Sequence, residues 1–332
     1  MKIAIIGAGM AGLAAARPLT AAGHHIRLFD KGRGPGGRLS TRRAETSLGE
    51  CRWDHGAQYF TARGEAFRTT IETLLAEGSV REWTPRLATI KAAGTSWLVE
   101  TEPPREGGDA IYVGAPAMNS VIKALAEGLD IEWGRRVSAI EPGPDGKTLI
   151  FEDGSREGLF DIVISAIPAE QAGDLLESAA PGLAEQAERT RSAPCWAVML
   201  AFEHKVPVDW DGAKIEGAPL SWVARNSAKP GRGGIDSWVL HASPEWSKAN
   251  VELGRDEVTD QLTTVFRDMT GAPAPVFKAA HRWLLAMVEQ AAGSPFGWDS
   301  ETGIATIGDW RIAPRVEAAW QSGHSLAAFL LR

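Results

Sequence analysis

The sequence predicts an α/β fold, in which a discontinuous Rossmann-type dinucleotide-binding domain is joined to an α+β second domain with an antiparallel sheet. Three observations lead to this fold class. A glycine-rich turn at residues 7–12 follows the first apolar segment of the chain. A second, mostly apolar segment at residues 161–167 is typical of a buried parallel strand. The stretch from about residue 175 to 294 instead mixes helical patterns with alternating strands, which is typical of an antiparallel sheet with covering helices.

The interrupted pattern predicts that the first domain is assembled from three pieces of the chain. We expect the dinucleotide-binding domain to comprise residues 1–63, 111–171 and 296–332, and the second domain residues 64–110 and 172–295. Further helices are predicted at Thr61–Ala76, Ala115–Gly128 and Val316–Leu331, and a last buried strand at Gly303–Asp309.

The start of the chain carries the residues that a dinucleotide-binding turn requires. After the first apolar run, Gly7, Gly9 and Gly12 would supply a tight turn, a close approach of the backbone to a pyrophosphate, and close packing of helix on strand. The helix that begins with Met10 and Ala11 directs its positive N-terminal end at the phosphates. We therefore expect a dinucleotide at this turn.

The predicted second strand ends at Asp30, about 20 residues after the glycines, where a carboxylate holds a ribose hydroxyl. An acid at this position favours an unphosphorylated ribose. Shortly afterwards Gly37, Arg38 and Leu39 bring a guanidinium to the place where a second phosphate needs charge, and Arg38 could bind it bidentately. A basic surface loop is the alternative interpretation of this motif.

Two later motifs suit a flat ring on a sugar chain. In residues 53–60, Gly56 and Ala57 clear space for a ring, while His55 is either part of that site or a structural histidine. Near the C-terminus, Asp309 follows a predicted strand and could hold a sugar-chain hydroxyl. The amino end of the helix after Arg315 could stabilise negative charge on a reduced ring.

Composition excludes several classes of protein. The 332 residues, 44% hydrophobic and 23% charged, are ordinary for a globular chain with room for two domains. A net charge of −7 gives no electrostatic footprint for nucleic acid. No segment approaches the roughly 18 uninterrupted apolar residues of a membrane span. Two distant cysteines, Cys51 and Cys195, exclude a disulfide framework and offer no metal-ligand spacing, so we expect no metal and a cytoplasmic location.

In this order, the four motifs resemble the FAD-binding domain of the flavin amine oxidase superfamily. The resemblance implies FAD in an extended form, with adenine near Val137, the isoalloxazine ring near residues 56–59, and the ribityl chain at Asp309 and Val316. The family more often has Glu where this chain has Asp30. The full set of FAD-contacting residues that the resemblance implies is Gly7, Gly9, Met10, Ala11, Gly12, Asp30, Lys31, Gly37, Arg38, Leu39, His55, Gly56, Ala57, Gln58, Val137, Pro168, Gly308, Asp309, Arg315, Val316 and Glu317.

Within this superfamily, the compact length and the segments 222–227, 238–247 and 281–283 look most like the bacterial renalases and their relatives. That similarity implies oxidation of the 2- and 6-dihydro isomers of NAD(P)H by FAD and dioxygen, with hydride passing to flavin N5 and NAD(P)⁺ and hydrogen peroxide as products. Because no second glycine fingerprint follows, the second domain would have to hold the nicotinamide dinucleotide.

Mechanism would then depend on positioning, since a dihydropyridine carries a hydride that is ready to leave. We expect Tyr59, Asn226, His241 and Trp283 to line the ring pocket, with Arg225 outside it for a ribose or a phosphate. A packed structural role is the alternative for His241 and for the tryptophans.

Three other functions stay open. An amine oxidase normally needs an aromatic cage, often of tyrosines, and only Tyr59 and Tyr112 are available; Lys278 is the default candidate for the lysine that many such enzymes place near the flavin. A desaturase of apolar polyenes is disfavoured because no amphipathic membrane-docking helix stands out. A non-catalytic FAD-binding protein is the third possibility.

Overall fold

The computed structural model describes residues 1–103 and 108–332. Its first sheet has six strands contributed by three separate pieces of the chain. All neighbours in it are parallel except the outermost pair at one edge, which is antiparallel. From that edge the strands are β19 (Gly297–Asp299), β20 (Ile304–Thr306), β13 (Ile162–Ser165), β1 (Lys2–Ile6), β2 (His25–Asp30) and β9 (Ile131–Trp133).

Helices surround this sheet, and the first and the last of them pack closely together. The six helices are α1 (Met10–Ala21), α2 (Glu65–Ala76), α3 (Ser120–Ala126), α4 (Ala169–Leu176), α5 (Pro181–Glu188) and α8 (Val316–Leu330). A Cβ on Gly323 of α8 would lie 2.0 Å from the Ala11 carbonyl oxygen of α1, so only glycine permits this approach. The C-terminal helix is thereby fixed beside the glycine-rich turn. No helix among the described residues combines the length and apolarity that a membrane span requires.

Smaller sheets complete the first part of the molecule. A three-stranded antiparallel sheet consists of β10 (Val137–Gly143), β11 (Gly146–Phe151) and β12 (Arg156–Phe160). Two-stranded antiparallel sheets are formed by β3 (Arg42–Thr46) with β4 (Gly49–Trp53), and by β5 (Val80–Glu82) with β8 (Tyr112–Gly114).

The second large sheet has seven strands, and all pairs except β15 with β6 are antiparallel. In spatial order they are β18 (Phe277–Gln290), β14 (Arg191–Phe202), β17 (Asp236–Ala242), β16 (Leu220–Arg225), β15 (Gly212–Glu216), β6 (Leu87–Ala93) and β7 (Ser96–Thr101). The predicted fold class is confirmed.

The two faces of this sheet have different neighbours, because side chains alternate along each strand. On one face, Trp196, Leu200 and Trp238 form a core with Leu262 and Phe266 of α7 (Arg255–Thr270), beside the short helix α6 (Pro244–Ala249). On the other face, alternating residues of the same strands turn toward the first domain. We call the first the helix face and the second, after the cofactor that the sequence predicts, the flavin face.

Two predicted helices begin later than expected. The helix predicted from Thr61 begins at Glu65, because Gly64 provides the extended backbone of its N-cap. The helix predicted over Ala115–Gly128 is confined to Ser120–Ala126, after a stretch that includes Pro116, a residue that does not continue a helix. Both differences lie outside residues 7–12, 37–39 and 53–60.

Candidate active site

The glycine-rich turn between β1 and α1 is closed on one side and open on the other. Gly7 has φ +106°, and a Cβ on Gly12 would lie 2.0 Å from the Gly7 carbonyl oxygen, so both positions require glycine. A Cβ on Gly9 would meet no atom within 4 Å. The turn therefore leaves free space at Gly9, beside the N-terminus of α1 (Met10 and Ala11), where a pyrophosphate was predicted.

Asp30 at the end of β2 is fixed against that turn. Its Oδ2 accepts a hydrogen bond from the Ala8 amide (2.8 Å) and its Oδ1 one from the Gly32 amide (2.7 Å). Each carboxylate oxygen has a second lone pair that a ribose hydroxyl could use. The neighbouring Lys31 turns instead toward α4, where its Nζ lies 3.1 Å from Gln171 Oε1.

Residues predicted for the pyrophosphate and for the ribityl chain of the cofactor meet in one ion pair. Arg38 donates two hydrogen bonds to Asp309, with Nη1–Oδ2 at 2.7 Å and Nη2–Oδ1 at 2.5 Å. Residues 53–60, which we call the ring-facing motif, pack on the same loop. The Ala57 amide donates to the Arg38 carbonyl oxygen (2.9 Å), and a Cβ on Gly56 would lie 2.1 Å from that oxygen. Three of the four motifs thus converge on Arg38.

The remaining predicted cofactor residues lie around this centre with different surroundings. Val137 is buried at the start of β10, and Pro168 is the N-cap residue of α4. Arg315 is the N-cap residue of α8, and Glu317 in the first turn accepts hydrogen bonds from the Gly64 amide (2.6 Å) and the Arg63 amide (3.1 Å). Glu317 therefore joins α8 to the start of α2.

A fully buried charge cluster, which no sequence pattern predicts, joins Asp54 of residues 53–60 to two cations of the second domain. Asp54 Oδ2 is 2.7 Å from Arg232 Nη2 and 3.4 Å from Lys229 Nζ. Its Oδ1 accepts hydrogen bonds from Thr41 Oγ1 (2.7 Å) and the Met118 amide (2.9 Å). We call Asp54, Lys229 and Arg232 the buried triad.

Burial and the neighbouring charges act in opposite directions on the pKa values of Asp54 and Lys229. Burial raises the pKa of Asp54, but Lys229, Arg232 and the hydrogen bonds together outweigh it and hold that pKa below its usual value. Burial lowers the pKa of Lys229 to about 8, against the opposing attraction of Asp54. Two cations and one anion therefore share a site from which water is excluded.

Gln58 links the buried triad to the backbone of residues 54–58 through hydrogen bonds. Its Oε1 accepts a hydrogen bond from Lys229 Nζ (3.2 Å), and its Nε2 donates to the carbonyl oxygens of Asp54 and Gly56, the latter at 3.1 Å. The backbone of residues 54–58 is thus held by side chains from both parts of the molecule.

His241 and Trp283 of the second sheet reach the same segment. The ring Nε2 of His241 lies 3.2 Å from the His55 carbonyl oxygen, and Trp283 Nε1 donates to that oxygen at 3.0 Å. The His55 ring stacks on Trp283 with centroids 5.1 Å apart, and its edge meets His281 at 4.8 Å. We call His55, His241, His281 and Trp283 the imidazole wall.

The imidazole wall is uncharged at neutral pH. Burial is the main cause that lowers the pKa of His55 to about 3 and that of His241 to about 4, and it also lowers the pKa of His281. Flat, neutral rings with fixed orientations therefore stand next to Gly56 and Ala57.

Tyr59 extends this region with a second aromatic group. Its ring centroid is 5.7 Å from that of Trp222 and 6.5 Å from that of Trp83. Trp222 pairs with His241 across β16 and β17, so the two lie on the flavin face together. The buried Trp222 Nε1 has no hydrogen-bond partner among residues 1–103 and 108–332, which leaves one N–H available to a ligand.

Two residues predicted for the substrate have other roles. Arg225 was expected outside the pocket, but it pairs with Trp238 on the helix face, where it is buried and binds Asp236 Oδ1 (2.8 Å) and the Val206 carbonyl oxygen (2.9 Å). That expectation was wrong because strand alternation turns Arg225 away from the flavin face. Asn226 is fully buried, and its amide bonds to the Arg52 carbonyl oxygen (2.8 Å) and the Asp54 amide (3.2 Å).

The default lysine of the amine oxidase alternative also lies elsewhere. Lys278 pairs with Leu200 across β18 and β14, which places it on the helix face, and it forms an exposed ion pair with Asp260. Among the described residues, Lys229 is instead the lysine joined to the ring-facing motif.

Comparisons with known proteins identify the family of this chain. Residues 5–74 match the NAD(P)-binding Rossmann-like domain, and residues 79–297 match the family of flavin containing amine oxidoreductases. The chain belongs to that family. An L-amino-acid oxidase from Notechis scutatus scutatus is 29% identical over 133 residues, which are 37% of this chain and only 26% of that protein.

Solved structures share the fold over nearly the whole chain. A cyclohexylamine oxidase from Brevibacterium oxydans IH-35A has a TM-score of 0.78 at 13% identity, covering 100% of this chain and 99% of that one. A putrescine oxidase bound to putrescine has a TM-score of 0.75 at 15% identity, covering 99% and 98%. These likenesses concern the fold.

FAD is the cofactor of this protein, and the observed residues fit it. The free space at Gly9 and the adjoining helix N-terminus suit a pyrophosphate, and Asp30 is fixed beside them for a ribose. Gly56 has no side chain, which lets the backbone of residues 54–58 approach the Arg38 carbonyl oxygen, where a Cβ would lie at 2.1 Å.

Proposed function

We propose that this flavoprotein is an oxidase of the 2- and 6-dihydro isomers of NAD(P)H, which it converts to NAD(P)⁺ while reducing dioxygen to hydrogen peroxide. The observation that carries the proposal is the imidazole wall, in which His241 and Trp283 are both bonded to the His55 carbonyl oxygen, directly before Gly56 and Ala57. A flat heteroaromatic substrate would lie between this wall and the cofactor.

In the proposed reaction, these residues would position the substrate ring and would not need to transfer a proton. When bound, FAD accepts a hydride and returns the electrons to dioxygen. A dihydropyridine loses a hydride without first losing a proton, so no general base is required. Neutral imidazoles suit this task, because the pKa of His241 is about 4 and that of His55 about 3. Their role would be to orient the ring and exclude water.

Tyr59 and Trp222 would complete the pocket on a second side. Aromatic faces stack on a planar ring, and the unpartnered Trp222 Nε1–H could donate to the carboxamide oxygen of nicotinamide. Asn226 is left out of this proposal, because both ends of its amide hold backbone groups.

Oxidation of an amine is the second candidate, and the shared fold with the putrescine and cyclohexylamine oxidases favours it. Two observations weigh against it. The imidazole wall contains no carboxylate to attract an ammonium group, and Asp54 behind it is neutralised by Lys229 and Arg232. Tyr112 packs on Phe60, with centroids 5.9 Å apart, rather than joining Tyr59.

Product analysis under air tests the proposal. The purified yellow protein would be given 2- and 6-dihydro-NAD, their NADP counterparts, ordinary NADH, putrescine, cyclohexylamine and L-amino acids, and peroxide and NAD(P)⁺ would be quantified. We expect equimolar peroxide and NAD(P)⁺ from the isomers alone. Peroxide from an amine alone would replace the proposal with the second candidate, and no peroxide from any donor would favour a non-catalytic flavoprotein.

A matched pair of variants makes the result specific to the pocket. Trp283→Leu removes the stacked ring and the hydrogen bond to the His55 carbonyl oxygen, and it should slow turnover at least tenfold. Trp97→Leu removes a tryptophan of β7 whose indole N–H bonds to Asp268, away from the wall, and should leave turnover unchanged.

A further inference from the structure

Residues 291–296, which we call the crossover, carry the chain from the end of β18 back to β19 of the first sheet. The crossover lies against the turn that follows β20. The Ala292 amide donates to the Trp310 carbonyl oxygen (3.0 Å), and the Gly293 amide donates to the Arg311 carbonyl oxygen (3.0 Å). The connection between the two large sheets is therefore bonded to the turn that contains Asp309.

The side chain of Arg311 binds the same crossover. Its Nε donates to the Ser294 carbonyl oxygen (3.2 Å), and its Nη2 donates to Ser294 Oγ and to the Phe296 carbonyl oxygen, the latter at 2.9 Å. Its Nη1 reaches Gln186 Oε1 of α5 (3.0 Å) and Thr306 Oγ1 of β20 (3.4 Å). All of these partners are uncharged.

Arg311 is a buried cation without an anion. It is 1% exposed, and no ion pair in the described part of the chain includes it. Burial lowers its pKa to about 10. A buried guanidinium is tolerated when its N–H groups are hydrogen-bonded, so a displacement of residues 294–296 would leave a charged donor unpaired in the interior. The position of the crossover is therefore strongly restrained by Arg311.

Ser322 of α8 joins the crossover to the residue directly before Asp309. Its Oγ accepts a hydrogen bond from the Gly308 amide (2.9 Å) and donates one to the Pro295 carbonyl oxygen (2.6 Å). Ser322 is fully buried, and this second bond uses the only proton of its hydroxyl. One hydroxyl thus fixes both the turn and the crossover.

The turn before Asp309 has little conformational freedom. Gly308 has φ +151°, and a Cβ there would lie 2.6 Å from Trp310 Cδ1. Trp310 is held in turn, because its Nε1 donates to the Ile167 carbonyl oxygen (3.1 Å). A shift of the Gly308 amide would therefore displace Asp309 and its two hydrogen bonds from Arg38.

We propose that Arg311 and Ser322 are positioning residues for the cofactor, which hold the turn of Asp309 against the crossover and thereby set how tightly the chain retains FAD. We call this pair the crossover clamp. Asp309 is expected at the ribityl chain and Arg38 at the pyrophosphate, so both contacts depend on the clamp. The clamp concerns retention of FAD and does not depend on which donor reduces the flavin.

The rate of FAD release from the FAD-loaded protein tests the clamp through Ser322. After dilution into buffer without FAD, the fluorescence of released FAD would be followed in the parent protein and in Ser322→Ala. The variant leaves the Gly308 amide and the Pro295 carbonyl oxygen without their buried partner, and we expect FAD to leave roughly tenfold faster. Release at the parent rate would overturn the proposal.

Ser247→Ala is the matched control. Ser247 is also fully buried, and its Oγ accepts a hydrogen bond from the Trp196 amide (3.2 Å), far along the chain from the turn of Asp309 and in the second domain. Urea unfolding should show a comparable loss of stability in both variants, whereas FAD release should accelerate in Ser322→Ala alone. Equal acceleration in both variants would mean that general destabilisation releases FAD, and it would overturn the positioning role.

Hydrogen exchange of the same FAD-loaded proteins tests the link to the crossover. The Ala292 and Gly293 amides are bonded to carbonyl oxygens of the turn, and we expect them to exchange faster in Ser322→Ala than in the parent protein or in Ser247→Ala. Exchange at the parent rate, together with faster FAD release, would refute the part of the crossover.

Arg311→Lys tests the other member of the clamp. The variant keeps the positive charge but replaces three nitrogens of fixed geometry by one, so the bonds to residues 294–296 cannot all be made. We expect faster exchange at Ala292 and Gly293 and faster FAD release. Parent rates of both in the folded variant would refute the role of Arg311.

Discussion

Substitution of Asp54 by Asn removes the only anion of the buried triad and preserves the shape of the side chain. The Oδ1 contacts with Thr41 and the Met118 amide can remain, because an amide oxygen also accepts hydrogen bonds. At the Oδ2 position, an NH₂ group would face the donors Lys229 and Arg232. The side chains of these two residues are 0% and 2% exposed. Two cations would then be left without an anion.

The expected loss of unfolding free energy in Asp54→Asn follows from the burial of the two cations. Breaking a buried ion pair by removing one partner costs about 3–5 kcal/mol, because the remaining charge stays desolvated. Lys229 limits the cost by giving up its proton, since its pKa is already lowered to about 8 and would fall further without Asp54. We expect Asp54→Asn to lower the free energy of unfolding by about 3–5 kcal/mol at pH 7, and by less at pH 9, where Lys229 is largely neutral.

Urea unfolding of the FAD-loaded proteins at one fixed FAD concentration measures this quantity, since bound ligand shifts apparent stability. Asp54→Asn/Lys229→Met removes one cation together with the anion and should lose less than the sum of the two single variants. Asp153→Asn is the control: this exposed carboxylate pairs with Arg135 at 2.6 Å, and its loss should lower stability far less than Asp54→Asn does, because water screens the pair. A loss below about 1 kcal/mol in Asp54→Asn, or full additivity in the double variant, would refute the reasoning.

Two further predictions concern the imidazole wall and the glycine turn. The pKa of His241 is lowered from 6.5 to about 4 in the folded protein, so the unfolded chain takes up a proton first as pH falls below 6.5, and stability is lost from there down to pH 4. Between pH 7 and 5 this removes about 2 kcal/mol, and His241→Gln should shrink the measured loss by that amount; an unchanged loss would show that the imidazole is not held neutral. Gly12→Val should abolish FAD retention, because a Cβ there would lie 2.0 Å from the Gly7 carbonyl oxygen, whereas Gly233→Val, with no atom within 4 Å of its Cβ, should stay yellow. Yellow, folded Gly12→Val protein would contradict the assignment of the turn.

The first domain could be predicted from sequence because its signals are local. Gly7, Gly9 and Gly12 follow one apolar strand at fixed spacing, and Asp30 ends the next, so strand, turn and acid are all encoded within 30 residues. The return of the chain to the first sheet at residues 303–309 could also be predicted, because there too an apolar strand is followed by an acid.

The side-chain partners of the site could not be predicted, because they depend on register and on long-range packing. Arg225 and Trp222 are three residues apart on one strand, so they lie on opposite faces of the sheet, and only the pairing with β17 decides which of them lies on the flavin face. Lys229 and Arg232 lie in a loop without periodicity, and their partner Asp54 is 175 residues from Lys229 along the chain. The one available signal was a lone acid within the otherwise neutral motif of residues 53–60.

Anaerobic mixing of the FAD-loaded protein with one equivalent of each donor tests the central claim most directly, because it observes the reductive step alone. We predict that 2- or 6-dihydro-NAD bleaches the flavin absorbance within the mixing experiment, that NAD⁺ forms in the same amount, and that admission of air restores the yellow colour. Ordinary NADH, putrescine and cyclohexylamine should leave the spectrum unchanged. Bleaching by an amine, with no response to either dihydro isomer, would contradict the account and assign the imidazole wall to amine oxidation.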